Sequence, residues 1–244
     1  MAVASLGSTF NTTGGNTTVV ATPTLSDLIV VIVVTTGVAG GTTNVSDNSS
    51  DGAGVYSKVA GDFTGFSTTG HLAAWVRNGL VRSASSTTYT ATQASSTGGG
   101  LWVVRVTGMT LLGKQAVRST GGQSSGTAGT TPAPVLSNTP VSTNPIIAAM
   151  CNGANPAAMT QRTGYTESVD TGYASPTTGV ECTFLASGET TATLTWGSSS
   201  ATSFASIGLE LDLSTAPTVD GIAGATQPMN SVPDGLFPGL GVRW

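Results

Sequence analysis

Residues 28–34 read Leu-Ile-Val-Val-Ile-Val-Val, an unbroken apolar run in which every residue after the first is β-branched. β-branched side chains are stiff at χ1 and favour strands over helices. A strand points successive side chains to opposite faces, so a run that is apolar at every position reads as a buried central strand. It is far shorter than the roughly 20 residues a bilayer span requires. The rest of the chain must therefore build a sheet around it.

The remaining segments fit that demand. Strand-like runs occur at 17–21, 27–36, 54–59, 71–77, 87–93, 101–107, 133–136, 145–151, 165–168, 180–186, 190–196 and 203–213. Two of them, Thr88-Tyr-Thr-Ala-Thr92 and Ala192-Thr-Leu-Thr-Trp196, alternate with a period of two, as a sheet with one buried face requires. Gly/Ser/Thr/Asn clusters at 37–43, 47–52 and 95–100 supply turn chemistry between them. No window of helical length carries apolar residues at i, i+3, i+4 and i+7 with competent caps. Many short strands without helical crossovers predict an all-β, antiparallel sandwich. The low-complexity stretch 119–131, STGGQSSGTAGTT, reads as a long loop inside that sandwich in preference to a linker between two domains. Residues 1–16 read as an N-terminal arm and 17–213 as the sandwich. Residues 214–244, with prolines at 217, 228, 233 and 238, read as an extended Pro/Gly-containing tail.

Composition narrows the function classes. Charged residues make up 8% of the 244, against roughly a quarter in ordinary soluble domains. Thr, Ser, Gly and Asn take their place, side chains that hydrogen-bond without the cost of desolvating an ion and so suit surfaces partly buried against neighbours. The net charge of −4 comes from 12 acidic and 8 basic residues spread thinly. Without a basic patch, a nucleic-acid partner is not expected. The start, MAVASLGSTFNTTGG, has neither the positive n-region nor the apolar stretch of a secretory signal, and no membrane association is expected. Cys151 and Cys182 each lie in an apolar strand-like run and read either as buried free thiols or as an inter-strand disulfide.

Several patterns imitate chemistry. Gly122-Gln-Ser-Ser-Gly126 matches G-x-S-x-G with Ser124 at its centre, but the nucleophile elbow needs a strand-to-helix turn and a histidine after the serine, and His71 precedes it. Gly108-Met-Thr-Leu-Leu-Gly-Lys114 covers most of a P-loop, yet Gln115 stands where the magnesium-binding hydroxyl belongs and no helix follows. A lone His71 cannot make a histidine-based metal site. The turn Asp47-Asn-Ser-Ser-Asp-Gly52 offers carboxylates for calcium without EF-hand spacing. Glu210 and Asp212, with Glu189, imitate a glycosidase pair, although Ile207, Leu209, Leu211 and Leu213 suggest a strand with one apolar and one acidic face. The sequons at Asn11, Asn16, Asn44 and Asn48 carry little weight in so Thr-rich a chain. No catalytic residue, metal or cofactor is expected. Leu236, Phe237, Leu240 and Trp244 place large apolar groups on the tail, where they can dock onto a partner or fold back on the chain's own sandwich.

The order of segments resembles the jelly-roll-like domains of structural proteins from tailed bacteriophage virions. The likeness is carried by Leu25-Ser-Asp-Leu-Ile-Val-Val31, by Val45-Ser-Asp-Asn48 leading to Val55-Tyr-Ser-Lys58, and by Ala73-Ala-Trp-Val-Arg77 with 87–92 after it. It continues through Leu101-Trp-Val-Val-Arg-Val-Thr-Gly108, through 137–149 and into Ala205-Ser-Ile-Gly-Leu-Glu-Leu211. It covers about 17–213 and differs in its scarcity of charge and its long proline-containing C-terminus. The resemblance implies a β-sandwich of jelly-roll type and a capsid decoration (cement) protein on the outer surface of the major capsid protein. Such a protein is made in the host cytoplasm and assembles as a homo-oligomer, most simply a trimer. A competing reading is a glycan- or receptor-binding module of a tail or head fibre, with Trp75, Trp102, Trp196 and Tyr173 stacking on sugars.

Overall fold

A computed structural model describes residues 1–37, 41–42, 44–49, 54–67, 69–93, 96–154, 159–174 and 177–213. In chain order the strands are β1 (Val3–Asn11), β2 (Thr17–Ala21), β3 (Leu28–Thr36), β4 (Asn44–Asp47), β5 (Tyr56–Thr64), β6 (His71–Arg77), β7 (Thr87–Thr92) and β8 (Gly98–Val106). After a short 3-10 turn, Gly113–Ala116, come β9 (Val117–Ser125), β10 (Ile146–Asn152), β11 (Thr166–Ala174), β12 (Thr177–Leu185) and β13 (Phe204–Leu211). Every strand pairing is antiparallel.

The strands form three sheets. Sheet I runs β1-β8-β3-β6-β5, sheet II runs β11-β12-β10-β13-β9, and sheet III runs β2-β7-β4. The run at 28–34 explains why there are three. In β3, Leu28, Val30, Ile32 and Val34 join Ile147, Ala149, Cys151, Ile207 and Leu209 of sheet II in one core. The alternate residues Ile29, Val31 and Val33 pack with Val19, Val45, Tyr89 and Ala91 of sheet III in a second. Full burial of each aliphatic side chain is worth about 1.5–3 kcal/mol, so a strand apolar on both faces is stable only where both faces are covered. The same logic holds for β10. Its Ile146, Ala148 and Met150 face away from sheet I and pack under Leu136, Met159, Tyr165, Leu194 and Trp196, side chains from the connecting segments.

The all-β antiparallel sandwich is thus as the sequence predicts. Its jelly-roll connectivity finds no confirmation in the strand order, which draws sheets I and III from the first half of the chain and sheet II from the second. Three expectations need correction. Residues 1–16 are not a free arm, because β1 pairs along its length with β8 and supplies Val3 to the core between the sheets. The stretch read as a long loop contains β9, which pairs with β13 from Phe204↔Ser125 to Leu211↔Val117. Small residues there serve close approach: a Cβ on Gly122 would lie 1.9 Å from the Phe63 ring of β5, and one on Gly121 would lie 2.1 Å from the Val135 carbonyl. Segments 133–136 and 190–196 are not strands of any sheet. They run as paired straps over sheet II, joined by Leu136 N–H to Ala192 O, Leu194 N–H to Pro134 O and Trp196 N–H to Pro132 O. Met1–Ser214 forms one compact unit.

Candidate functional site

The carboxylates that imitated catalytic or metal-binding groups are structural clasps. Asp47 is taken up by neighbouring donors, while Asp51, the other carboxylate of the calcium reading, lies outside the described residues. Its Oδ1 accepts from Ser49 N–H, Ser49 Oγ and Gly54 N–H, and its Oδ2 accepts from Tyr56 OH and Arg77 Nε, both at 2.9 Å. Burial pushes this carboxyl up, but the donors from Ser49, Tyr56 and Arg77 outweigh burial and hold it below the usual carboxylate value. Among the described residues no group of three His, Cys, Asp or Glu side chains is arranged to hold a metal ion.

Glu189 and Glu210 belong to two separate clasps. Glu189 accepts a two-pronged contact from Arg162, Nε to Oε2 at 2.8 Å and Nη2 to Oε1 at 3.2 Å. Tyr165 OH, the amides of Thr190 and Thr191 and the Thr191 hydroxyl complete its shell. Against the upward push of burial, these donors hold Glu189 down at about 2. Glu210 is fully buried on β13 and takes Arg118 at 2.6 Å, Val141 N–H and Asn144 Nδ2. Asp212 lies just past the end of β13, its amide bonded to Ala116 O, so the expected acidic face is one buried, paired glutamate and a strand-end aspartate.

The other motifs resolve in the same way. The G-x-S-x-G residues lie within and just after β9, an antiparallel edge strand with Ser124 exposed, and make no strand-to-helix elbow. Lys114 of the P-loop near-match sits in the four-residue turn Gly113–Ala116, followed directly by β9. His71 opens β6 opposite Thr35 and Thr64. Trp75, Trp102, Trp196 and Tyr173, offered for sugar stacking, are 7%, 0%, 4% and 4% exposed, so they pack in the interior instead. Burial also pushes the thiols of Cys151 and Cys182 well up, and both are free. Leu236, Phe237, Leu240 and Trp244 lie outside the described residues.

What faces outward is almost uncharged. Among the described residues the exposed charged side chains are five: Asp62, Arg82, Lys114, Glu167 and Asp170. The outer face of sheet III shows why. Registers Thr18↔Thr90↔Ser46 and Val20↔Thr88 set hydroxyl-bearing side chains and one valine side by side, with Asn44 and Thr92 at the end. A cleft of about 250 Å³ opens where β5 meets β9, lined by Lys58, Lys114, Arg118, Ser119, Thr120 and Ser137 among others. Its cations are partly spoken for, Lys58 by Asp62 and the Trp75 ring, and Arg118 by Glu210 and Thr139 O.

Sequence reasoning passed over the residue with the most unusual surroundings, Glu181 on β12, which is fully buried and, among the described residues, has no hydrogen-bond partner on either oxygen. A single acid inside Val180-Glu-Cys-Thr-Phe184 was the available signal. Among the described residues no helix is long and apolar enough to cross a membrane. Compared with protein-family models, curated proteins and solved structures, the chain matches none.

Proposed function

We propose that this chain is a structural protein of a tailed-phage virion, a decoration protein that binds the outer surface of the major capsid protein and stabilises the shell. The observation that carries this reading is the five exposed charges over the described surface. Mutual charge repulsion keeps soluble proteins apart, and a surface of short hydroxyl and amide side chains lacks it, which suits permanent contact with neighbours. The pattern resemblance to virion sandwiches supports the same reading. So does the interior use of Asp47, Glu189 and Glu210, whose donors hold turns and straps in place. The glycan-binding alternative loses its proposed stacking groups, since Trp75, Trp102, Trp196 and Tyr173 are buried. Leu236, Phe237, Leu240 and Trp244 are the side chains this reading assigns to the capsid or to a second copy in a trimer.

The test is reconstitution. Purified protein is added to particles that lack it, and binding and shell heat tolerance are measured for the full chain and for a chain lacking residues 227–244. Saturable binding that raises heat tolerance, lost on truncation, supports the reading. A full-length chain that leaves the particles bare and sediments as a monomer refutes it.

A further inference from the structure

Glu181 lies midway along β12, between the edge strand β11 and the central strand β10 of sheet II, on the face covered by the straps. Its register neighbours across the sheet are Asp170 on one side and Met150 then Ser206 on the other. Met150, its register partner on the same face, shares a cluster with Leu136, Met159, Tyr165, Leu194 and Trp196 of the layer that covers this face. It is 0% exposed, and among the described residues neither its Oε1 nor its Oε2 has a partner, nor does the Ser206 Oγ in the same row. Buried polar groups are otherwise nearly always hydrogen-bonded, and a buried carboxylate without a cation is far costlier than a buried neutral acid.

The charged groups around it offer no relief. From β11, Glu167 and Asp170 face the same side, and both add negative charge. From β10 the facing residues are Ala148 and Met150, and from β13 Ser206 and, farther along, Glu210, which Arg118 already holds. In the covering layer Arg162 and Tyr165 are committed to Glu189.

We propose that Glu181 is a proton-operated latch: protonated, it lets the straps close over sheet II, and ionised, it drives them off. Burial first, then the charges of Glu167 and Asp170, push its carboxyl up to about 8. An acid whose folded value lies above its unfolded value of 4.5 binds more protons in the folded state. Its contribution to stability is therefore complete below about 4.5 and drains away as pH rises through about 8. A protein with this latch is tightest in acid, at or below about pH 4.5, and loosens progressively as pH rises toward about 8. The inference stands on the sheet geometry and does not depend on the virion reading.

Thermal unfolding of the whole chain and of Glu181→Gln, from pH 5 to pH 9, tests it. Gln keeps the shape without the charge, and comparing the two removes every other titration. Wild type should lose on the order of 10 °C across the range, while E181Q stays nearly flat and exceeds wild type at pH 9. The amide resonances of Met159, Leu194 and Trp196 should shift with a midpoint near 8 in wild type and stay still in E181Q. Should E181Q fold poorly, Asp170→Asn supplies the second variant, and it should move the wild-type midpoint downward. A carboxyl titrating near 4.5, or parallel profiles for wild type and E181Q, would overturn the latch. So would a calcium-dependent rise in stability at pH 9 that needs Glu181, since the site would then hold a cation.

Discussion

Replacing Arg77 by Met should remove a large part of the stability of this fold. Arg77 and Asp47 are buried, at 4% and 1% side-chain exposure. The guanidinium gives Nε to Asp47, Nη1 to the carbonyls of Gly79 and Leu80, and Nη2 to Ser49 Oγ. Methionine fills much of the same volume, so packing is largely kept and the change isolates the charge. What remains is an aspartate without its cation and two carbonyls that lose a donor. Breaking a buried pair from one side costs about 3–5 kcal/mol. For a chain of this length that is on the order of 10 °C in the melting temperature. Urea denaturation of wild type, Arg77→Met, Asp47→Asn and the double variant measures it as a cycle, with a coupling above about 1 kcal/mol expected. The pH dependence gives a second check. Asp47 is held below its unfolded value, so its contribution is present above about pH 4 and vanishes as pH falls further, which should narrow the gap between wild type and Arg77→Met in acid. A loss under about 1 kcal/mol, or strictly additive single effects, would refute the clasp reasoning.

Further outcomes follow from the same geometry. Gly122→Ala should cost about 1–3 kcal/mol in denaturant melts, because its Cβ would meet the Phe63 ring at 1.9 Å, whereas Gly126→Ala, with nothing within 4 Å, should be close to neutral. Glu189→Gln should flatten the acid limb of the stability curve, since a carboxyl held at about 2 contributes above its unfolded 4.5 and loses that contribution as pH falls toward 2. A thiol reagent at pH 8 should leave Cys151 and Cys182 unmodified in the folded protein and modify both in denaturant, because burial raises both thiols and closes access.

Segments with a strong periodic signal were legible in the sequence. The predicted 17–21 and 71–77 are β2 and β6 to the residue, and 27–36 misses β3 by one. What escaped were strands whose residues look like turns. β9, β4 and the first residues of β8 are rich in Gly, Ser, Thr and Asn, which propensity assigns to loops. Tertiary contacts decide them instead. Gly98 starts β8 because a side chain there would strike the ring of Tyr173, and β9 stays a strand because β13 pairs with its whole length. The reverse error, at 190–196, has the complementary cause. Ala192, Leu194 and Trp196 alternate as a strand does and do pack inward, but their hydrogen bonds go to the strap at 132–136 and not to a sheet. The carboxylate clasps were legible only as residue types. Nothing along the chain tells that Glu210 meets Arg118, a residue 92 positions away.

The scarcity of surface charge and the presence of interior carboxylates have one cause. Among the described residues five acids, Asp27, Asp47, Glu181, Glu189 and Glu210, are buried. Turns and straps made of Gly, Ser and Thr have few apolar side chains to anchor them, so something else must hold them against their conformational entropy. One carboxylate can accept several N–H and O–H bonds at once, and Glu189 takes the amides of Thr190 and Thr191, Thr191 Oγ1, Tyr165 OH and Arg162. An acid placed inside thus does for a polar strap what a leucine does for a strand. Glu181 departs from this rule, because among the described residues no donor reaches either of its oxygens. A buried acid without a structural task remains free to respond to protons. That contrast with Asp47, Glu189 and Glu210, on the same chain and at similar burial, is the strongest reason to assign Glu181 a different role.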